Sequence, residues 1–155
     1  MFKIKLLVMA TIRKFEDLEI WQLARLQCNE FDKLVETTTL SRDYELRNQM
    51  NASSGSVMDC IAEGFERSGN SEFKNFLLVA KGSNGELRSQ LHRCFDRKHI
   101  VQERFDDLYA KNVILGNKIM SFVSYLQTSA YKGLRYKKGD STNLEPQTSN
   151  QKLED

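Results

Sequence analysis

Five basic side chains, Lys74, Lys81, Arg88, His92 and His99, follow one another at steps of seven, seven, four and seven residues. If helix runs through all five, 3.6 residues per turn places them within an arc of about 40°, and each seven-residue step advances about 10.5 Å. A row of cations on that pitch can follow a phosphate backbone, and binding of that kind weakens steeply with salt. The plain alternative is a solvated charged face. Other chemistry finds less support. His92 and His99 are seven apart, not the four that would put two ligands on adjacent turns, and no ExxH pair suggests a carboxylate-bridged metal site. There is no G-x-S-x-G elbow, and Gly82-Ser83-Asn84-Gly85-Glu86 matches neither a Walker A loop nor a dinucleotide fingerprint. Glu63 and Glu86 read most simply as solvated or helix-pairing carboxylates. The expectation is a protein without catalytic activity, metal or cofactor.

The stripe must be held by a helix, and residues 71–98 carry the most regular amphipathic pattern in the chain. Phe73, Ala80, Leu87 and Cys94 recur every seven residues, with Leu77, Asn84 and Leu91 as the interleaved row. This is the two-row seam that one helix presents to its neighbours in a bundle. Another side of the same helix carries Leu78, Gly82, Gly85 and Ser89, a mostly small surface against which something can pack. Glycine inside a helix costs about 1 kcal/mol relative to Ala, so close packing is the reading that offsets it; the alternative is a local break at residues 82–85.

Three further helices are expected. The first runs from about Glu16 to Thr37, with Ile20, Trp21, Leu23, Ala24, Cys28, Phe31, Leu34 and Val35 on its core face. Phe15, Leu18 and Leu26 fall on its other side, as isolated exposed groups or as a contact for self-association. Ser41 is a candidate cap for a second helix over about Arg42 to Arg67, whose inner face holds Leu46, Met50, Ser53, Val57, Cys60, Ile61 and Gly64. Its small residues, Ser53, Ser54, Gly55 and Gly64, let a neighbouring backbone approach. After a break at residues 67–71 comes the basic helix, and then a fourth whose seam is Phe105, Leu108, Asn112, Leu115, Ile119, Phe122 and Leu126. Four long helices with short connections can close as an all-α, antiparallel up-down-up-down four-helix bundle over residues 15–130.

Composition agrees. The 155 residues, 40% hydrophobic and 28% charged, suit one domain, and a single Pro with only eight Gly argues for long helices over many strands. The net charge of +2 conceals a polarised surface: residues 16–36 carry six acidic and two basic side chains, residues 71–98 six basic and three acidic. Cys28, Cys60 and Cys94 lack metal spacing and read as reduced core thiols. The longest apolar run, Leu6 to Ala10, is far short of the ~20 residues that span a bilayer and is followed by Arg13-Lys14 where a signal cleavage site would lie, so a cytoplasmic protein with no membrane partner is expected. Residues 1–14 are expected to be a poorly ordered extension, with Met9 an alternative start. Residues 131–155, Tyr131-Lys132-Gly133-Leu134-Arg135-Tyr136-Lys137-Lys138 and then a polar tail, are expected to be disordered.

Several segments carry a family likeness. Phe15-x-Asp17-Leu18-x-Ile20-Trp21-Gln22-x-Ala24, Gln49 with Ala52-Ser53-Ser54, Ile61-Ala62-Glu63-Gly64-Phe65-x-Arg67, and Glu72-Phe73-x-x-Phe76-Leu77-x-x-Ala80-x-Gly82-Ser83-x-x-Glu86-Leu87 resemble the bacterial four-helix bundle proteins encoded by intervening sequences in 23S ribosomal RNA genes. The likeness covers roughly residues 13–127. It implies an antiparallel four-helix bundle that assembles as a homopentamer, with no known enzymatic activity. The fold is also similar to the accessory variability determinant of diversity-generating retroelements, which implies RNA or DNA and a reverse transcriptase as partners. Two readings stand: a non-enzymatic oligomeric bundle that binds nucleic acid through the basic stripe, or a protein-interaction adaptor, such as an accessory to a reverse transcriptase.

Overall fold

Apolar residues at steps of three and four drive four stretches of the chain into helices that hide those rows against one another. The computed structural model describes residues 12–67 and 69–128. They form α1 (Glu19–Thr37), α2 (Tyr44–Glu66), α3 (Asn70–Asp96) and α4 (Gln102–Thr128), with short 3-10 turns at Phe15–Asp17 and Thr39–Arg42, and no strand among the described residues. Each helix packs antiparallel on the one before it, and α1 closes the ring against α4. The fold is an all-α, up-down-up-down four-helix bundle. The α2–α3 pair is the most extensive contact and α1–α4 the slightest. Ile12 is partly buried against the core. The expectations for residues 1–11 and 129–155, including the basic aromatic stretch, lie outside the described residues.

Two details of α1 and α2 differ from expectation. The chain is extended at Leu18 (φ −75°, ψ 123°) and helix starts at Glu19. A wheel drawn from residue 16 therefore misplaces Leu18, which is 2% exposed in the core rather than on an outer contact surface. Phe15 is half-buried, its ring edge-on to Trp21 at 5.1 Å. Of that proposed patch only Leu26, 57% exposed, faces outward. The cap of α2 is Asp43, not Ser41: its Oδ1 accepts from the Leu46 N–H at 3.2 Å, while Ser41 sits inside the preceding 3-10 turn.

Where α2 and α3 cross, Gly64 has a structural reason. A Cβ there would stand 2.6 Å from Phe76 Cβ and 2.9 Å from Phe73 Cδ2, so only glycine allows this approach. Gly55, Gly82 and Gly85 are different, since a Cβ on any of them would meet nothing within 4 Å. Helix α3 nonetheless continues unbroken through residues 82–85.

The core is two apolar clusters separated by a polar layer. One holds Leu18, Trp21, Ile61, Leu77 and Ile119; the other Phe31, Leu46, Met50, Leu91 and Leu108. Between them Asn84 and Asn112, both almost fully buried, face each other. Asn112 Nδ2 donates to the Asn84 carbonyl and to Asn84 Oδ1, both at 2.9 Å, and Asn84 Nδ2 donates back to the Asn112 carbonyl at 2.9 Å. Gln27 Nε2 donates to Asn84 Oδ1 at 3.1 Å and so ties in α1. On the α2 side, Ser56 and Ser83 hydroxyls meet at 2.9 Å and Gln90 Nε2 donates to Ser53 Oγ at 2.9 Å. All four helices thus contribute hydrogen-bonded polar side chains near this level, and the fully buried Asn84–Asn112 pair is tolerable because its amides are paired, whereas Gln90 Oε1 is left without a partner among the described residues. The thiols are sheltered: burial, helped by the charge of Asp43, pushes Cys94 up to about 11.

Candidate nucleic-acid interface

Lys74, Lys81, Arg88 and His92 share the side of α3 that borders α4. Lys74, Lys81 and Arg88 are half-buried along the helix, and His92 is exposed. The Lys81 ammonium reaches across Gly116 of α4, 3.4 Å from where a Cβ would stand there. The Arg88 guanidinium lies 5.9 Å from the centre of the Tyr109 ring. Lys81 and Arg88 therefore lie along the α3–α4 seam.

The cations of this seam are uncommitted, unlike those next to them. Among the described residues no ion pair uses Lys74, Lys81 or Arg88, whereas every cation of α4 is paired: Arg104 with Glu30 and Asp107, Lys111 with Asp107 at 2.8 Å, Lys118 with Glu19 at 2.8 Å. From Lys74 to Arg88 the row is about 21 Å long at 1.5 Å per residue.

His99 does not continue the row. Helix α3 ends at Asp96, and Lys98 takes a left-handed conformation (φ 61°) that closes the helix through its N–H to the Phe95 carbonyl at 2.8 Å. The turn swings His99 back to the start of α2, where its ring lies 2.8 Å from Thr39 Oγ1 through Nδ1 and 3.1 Å from Asp43 Oδ2 through Nε2. A carboxylate only accepts, so Nε2 donates. The wheel that placed His99 with the other four assumed helix where the chain in fact turns.

Asp43 is the hub of that corner, capping α2 while accepting from Arg97 at 2.7 Å and from His99. The Arg97 hydrogen bond, aided by His99 and the Leu46 N–H and opposed by burial, holds its carboxyl down at about 2, against an ordinary 3.8. A depressed carboxyl contributes stability that is fully present above its unfolded value and is lost as pH falls through its folded one. The stability advantage of the native protein over Asp43→Asn, which keeps the capping oxygen but not the charge, is therefore expected to shrink as pH drops from about 4 to about 2. Urea unfolding of both proteins across that window checks this; an advantage independent of pH would refute it.

Sequence reasoning missed the aromatic partners of the stripe. Tyr109 is half-buried on α4, with its ring centre 5.7 Å from that of His92, and Phe105 lies 4.9 Å from His92 and 5.6 Å from Tyr109. Phe105 was legible as a seam residue, but Tyr109, one residue past the seam position Leu108, had no periodicity to mark it.

The other expected surfaces stand apart from this seam. Leu78 is 45% exposed, Gly82 and Ser89 are exposed and Gly85 half-buried, and among the described residues nothing lies within 4 Å of where a Cβ on either glycine would stand. Leu26 and Ile114, each at least half exposed, flank a groove of about 230 Å³ between α1 and α4, lined by Leu23, Leu34, Leu87 and Leu91 among others. No helix among the described residues is long and apolar enough to cross a membrane.

Comparison with known proteins agrees with this architecture. Residues 16–121 match the family model of the 23S rRNA-intervening sequence protein. A crystal structure of a protein of unknown function from the S23 ribosomal protein family of Bacteroides thetaiotaomicron VPI-5482 superposes with a TM-score of 0.58 at 17% identity, covering 67% of this chain and 94% of that one. At that identity the likeness concerns the fold. No curated protein matches the chain. With the family model spanning more than half of its length, the chain belongs to the family of 23S rRNA-intervening sequence proteins.

Proposed function

We propose that this protein is a cytoplasmic, non-enzymatic, self-associating bundle that binds RNA or another nucleic acid through Lys74, Lys81 and Arg88, with His92 at the end of the row. The observation that carries the reading is a contrast between helices: the α4 cations are neutralised by carboxylates of α1 and of α4 itself, while Lys74, Lys81 and Arg88 of α3 pair with none among the described residues. A protein surface that leaves three evenly spaced cations without carboxylates over about 21 Å presents a field suited to a polyanion. Self-association, as the homopentamer that the family likeness implies, is supported by two uncovered surfaces, the small face of α3 and the Leu26–Ile114 groove. A closed ring would repeat the stripe around its axis and strengthen the field.

Titration of a fluorescein-labelled single-stranded RNA tests the binding. Three phosphate contacts per protomer give a slope of log affinity on log salt of about −2, hence a loss of roughly 20-fold between 50 and 200 mM. The combined Lys74→Glu, Lys81→Glu and Arg88→Glu variant is expected to bind at least about 100-fold more weakly at the lower salt, with its helical circular dichroism retained. Equal affinity in native protein and folded variant would overturn the reading. Mass in solution addresses the assembly, and a single species at 18.0 kDa would end that part of it.

A further inference from the structure

We infer that the aromatic cluster of His92, Phe105 and Tyr109 beside Arg88 is a stacking platform for an unpaired base, so that the α3–α4 seam takes single-stranded in preference to duplex nucleic acid. The inference rests on the nucleic-acid reading above and specifies the form of the ligand.

Two features of the seam point to it. First, the rings lie at the rim of the core. Phe95 and Phe105 are half-buried against its second apolar cluster, Tyr109 is half-buried beside them and His92 is exposed. Their centres lie 4.9 to 5.7 Å apart and their planes are inclined, from 32° between Phe105 and Tyr109 to 77° between His92 and Tyr109. That leaves an angled hydrophobic shelf, with neither the His92 ring nor the Tyr109 hydroxyl bonded to another described side chain. Second, the shelf is continuous with the cation row. Arg88 is one helical turn before His92 and holds its guanidinium 5.9 Å from the Tyr109 ring, where the π-face attracts it. A phosphate bound at Arg88 therefore brings its own base within reach of the shelf.

The chemistry then selects the ligand. In a duplex the base faces are covered by their neighbours and only the phosphates are offered; in a single strand each base has a free π-face. A seam of cations alone would accept both forms, whereas cations leading to partly exposed rings favour the form that can fill both. Stacking on the shelf draws on the π-face that every base has, so the preference is for strandedness and not for sequence.

Three labelled 12-mers carrying equal charge per strand test the inference: an oligouridylate, the same length with abasic sites throughout, and a duplex of the first with its complement. The native protein is expected to bind the oligouridylate roughly 5- to 100-fold more tightly than the abasic strand, and more tightly than the duplex. His92→Ala with Tyr109→Ala should remove that margin; read against His92→Ala alone, so that any share of His92 in the cation row cancels, the abasic strand should be bound with unchanged affinity and salt slope. Tyr109→Phe, which keeps the ring, should retain it, and this also controls for any loss of packing. A 2-aminopurine placed in the strand should be quenched by the native protein and not by the double Ala variant. Salt-dependent binding that is equal for normal and abasic strands, duplex bound as tightly as single strand, or a double Ala variant that weakens all three probes alike would each overturn the platform and leave the cation row standing. Binding to none of the three would overturn both.

Discussion

Asn112→Ala is expected to lower the unfolding free energy by about 3 kcal/mol, far more than deletion of one surface amide. The substitution removes the donor that serves the Asn84 carbonyl, Asn84 Oδ1 and Gln27 Oε1, and one of the two acceptors of Asn84 Nδ2, whose bond to the Asn112 carbonyl remains. It leaves a void between two apolar clusters and polar atoms facing it that water reaches poorly. A hydrogen bond contributes only about 1 kcal/mol net, but a buried partner left unpaired costs a further 1–3 kcal/mol. Asn112→Asp offers a sharper check. Its carboxyl would be held in a buried layer whose direct partners are amides, and burial raises its folded pKa against the opposing pull of the Lys81 ammonium near Gly116. A raised carboxyl is best tolerated when protonated, and this variant should therefore lose stability relative to the native protein as pH rises from about 4 to 7. Urea unfolding measures both effects. If Asn112→Ala shifts the midpoint by less than the equivalent of about 1 kcal/mol, the layer is decoration on the core and not a joint between helices.

That layer also shows which parts of the structure were legible beforehand. The helices, their order and their inner faces followed from steps of three and four, because burying a row of Leu, Ile, Phe and Val fixes which way a helix turns. Asn84 and Asn112 appeared in those rows as interruptions. Nothing local said that they would lie at one height and answer each other, since that depends on how two helices are offset along their axes. The same limit applies at the corners. Leu18 and His99 were misplaced because a wheel extends a helix past its true end, where an extended residue in one case and a left-handed Lys98 in the other redirect the chain. The cation stripe was visible along α3 as far as His92, but its aromatic side was not, for Tyr109 and Phe105 belong to a different helix and meet the stripe only through packing.

Gly64→Ala and Gly82→Ala, the same change on facing and outward sides of one helical hairpin, are expected to have opposite signs. At Gly64 the new methyl would collide with Phe76 Cβ at 2.6 Å, an atom fixed to the α3 backbone, so the two helices must part. Overpacking of that kind costs about 3 kcal/mol, and the roughly 1 kcal/mol gained in helix propensity leaves a net loss of about 2 kcal/mol. At Gly82 a methyl meets nothing within 4 Å, so in the dilute, dissociated protomer the propensity gain stands alone and unfolding becomes harder by about 0.5–1 kcal/mol. If copies associate through the small face of α3, one of the two surfaces proposed for self-association, the same methyl is expected to move the association midpoint upward by roughening that face. Unfolding at low concentration and sedimentation over a concentration series read the two effects separately. A Gly82→Ala protein that is stabilised at every concentration, with unchanged sedimentation, would show that the small face of α3 meets only water and would leave the Leu26–Ile114 groove as the remaining surface proposed for self-association.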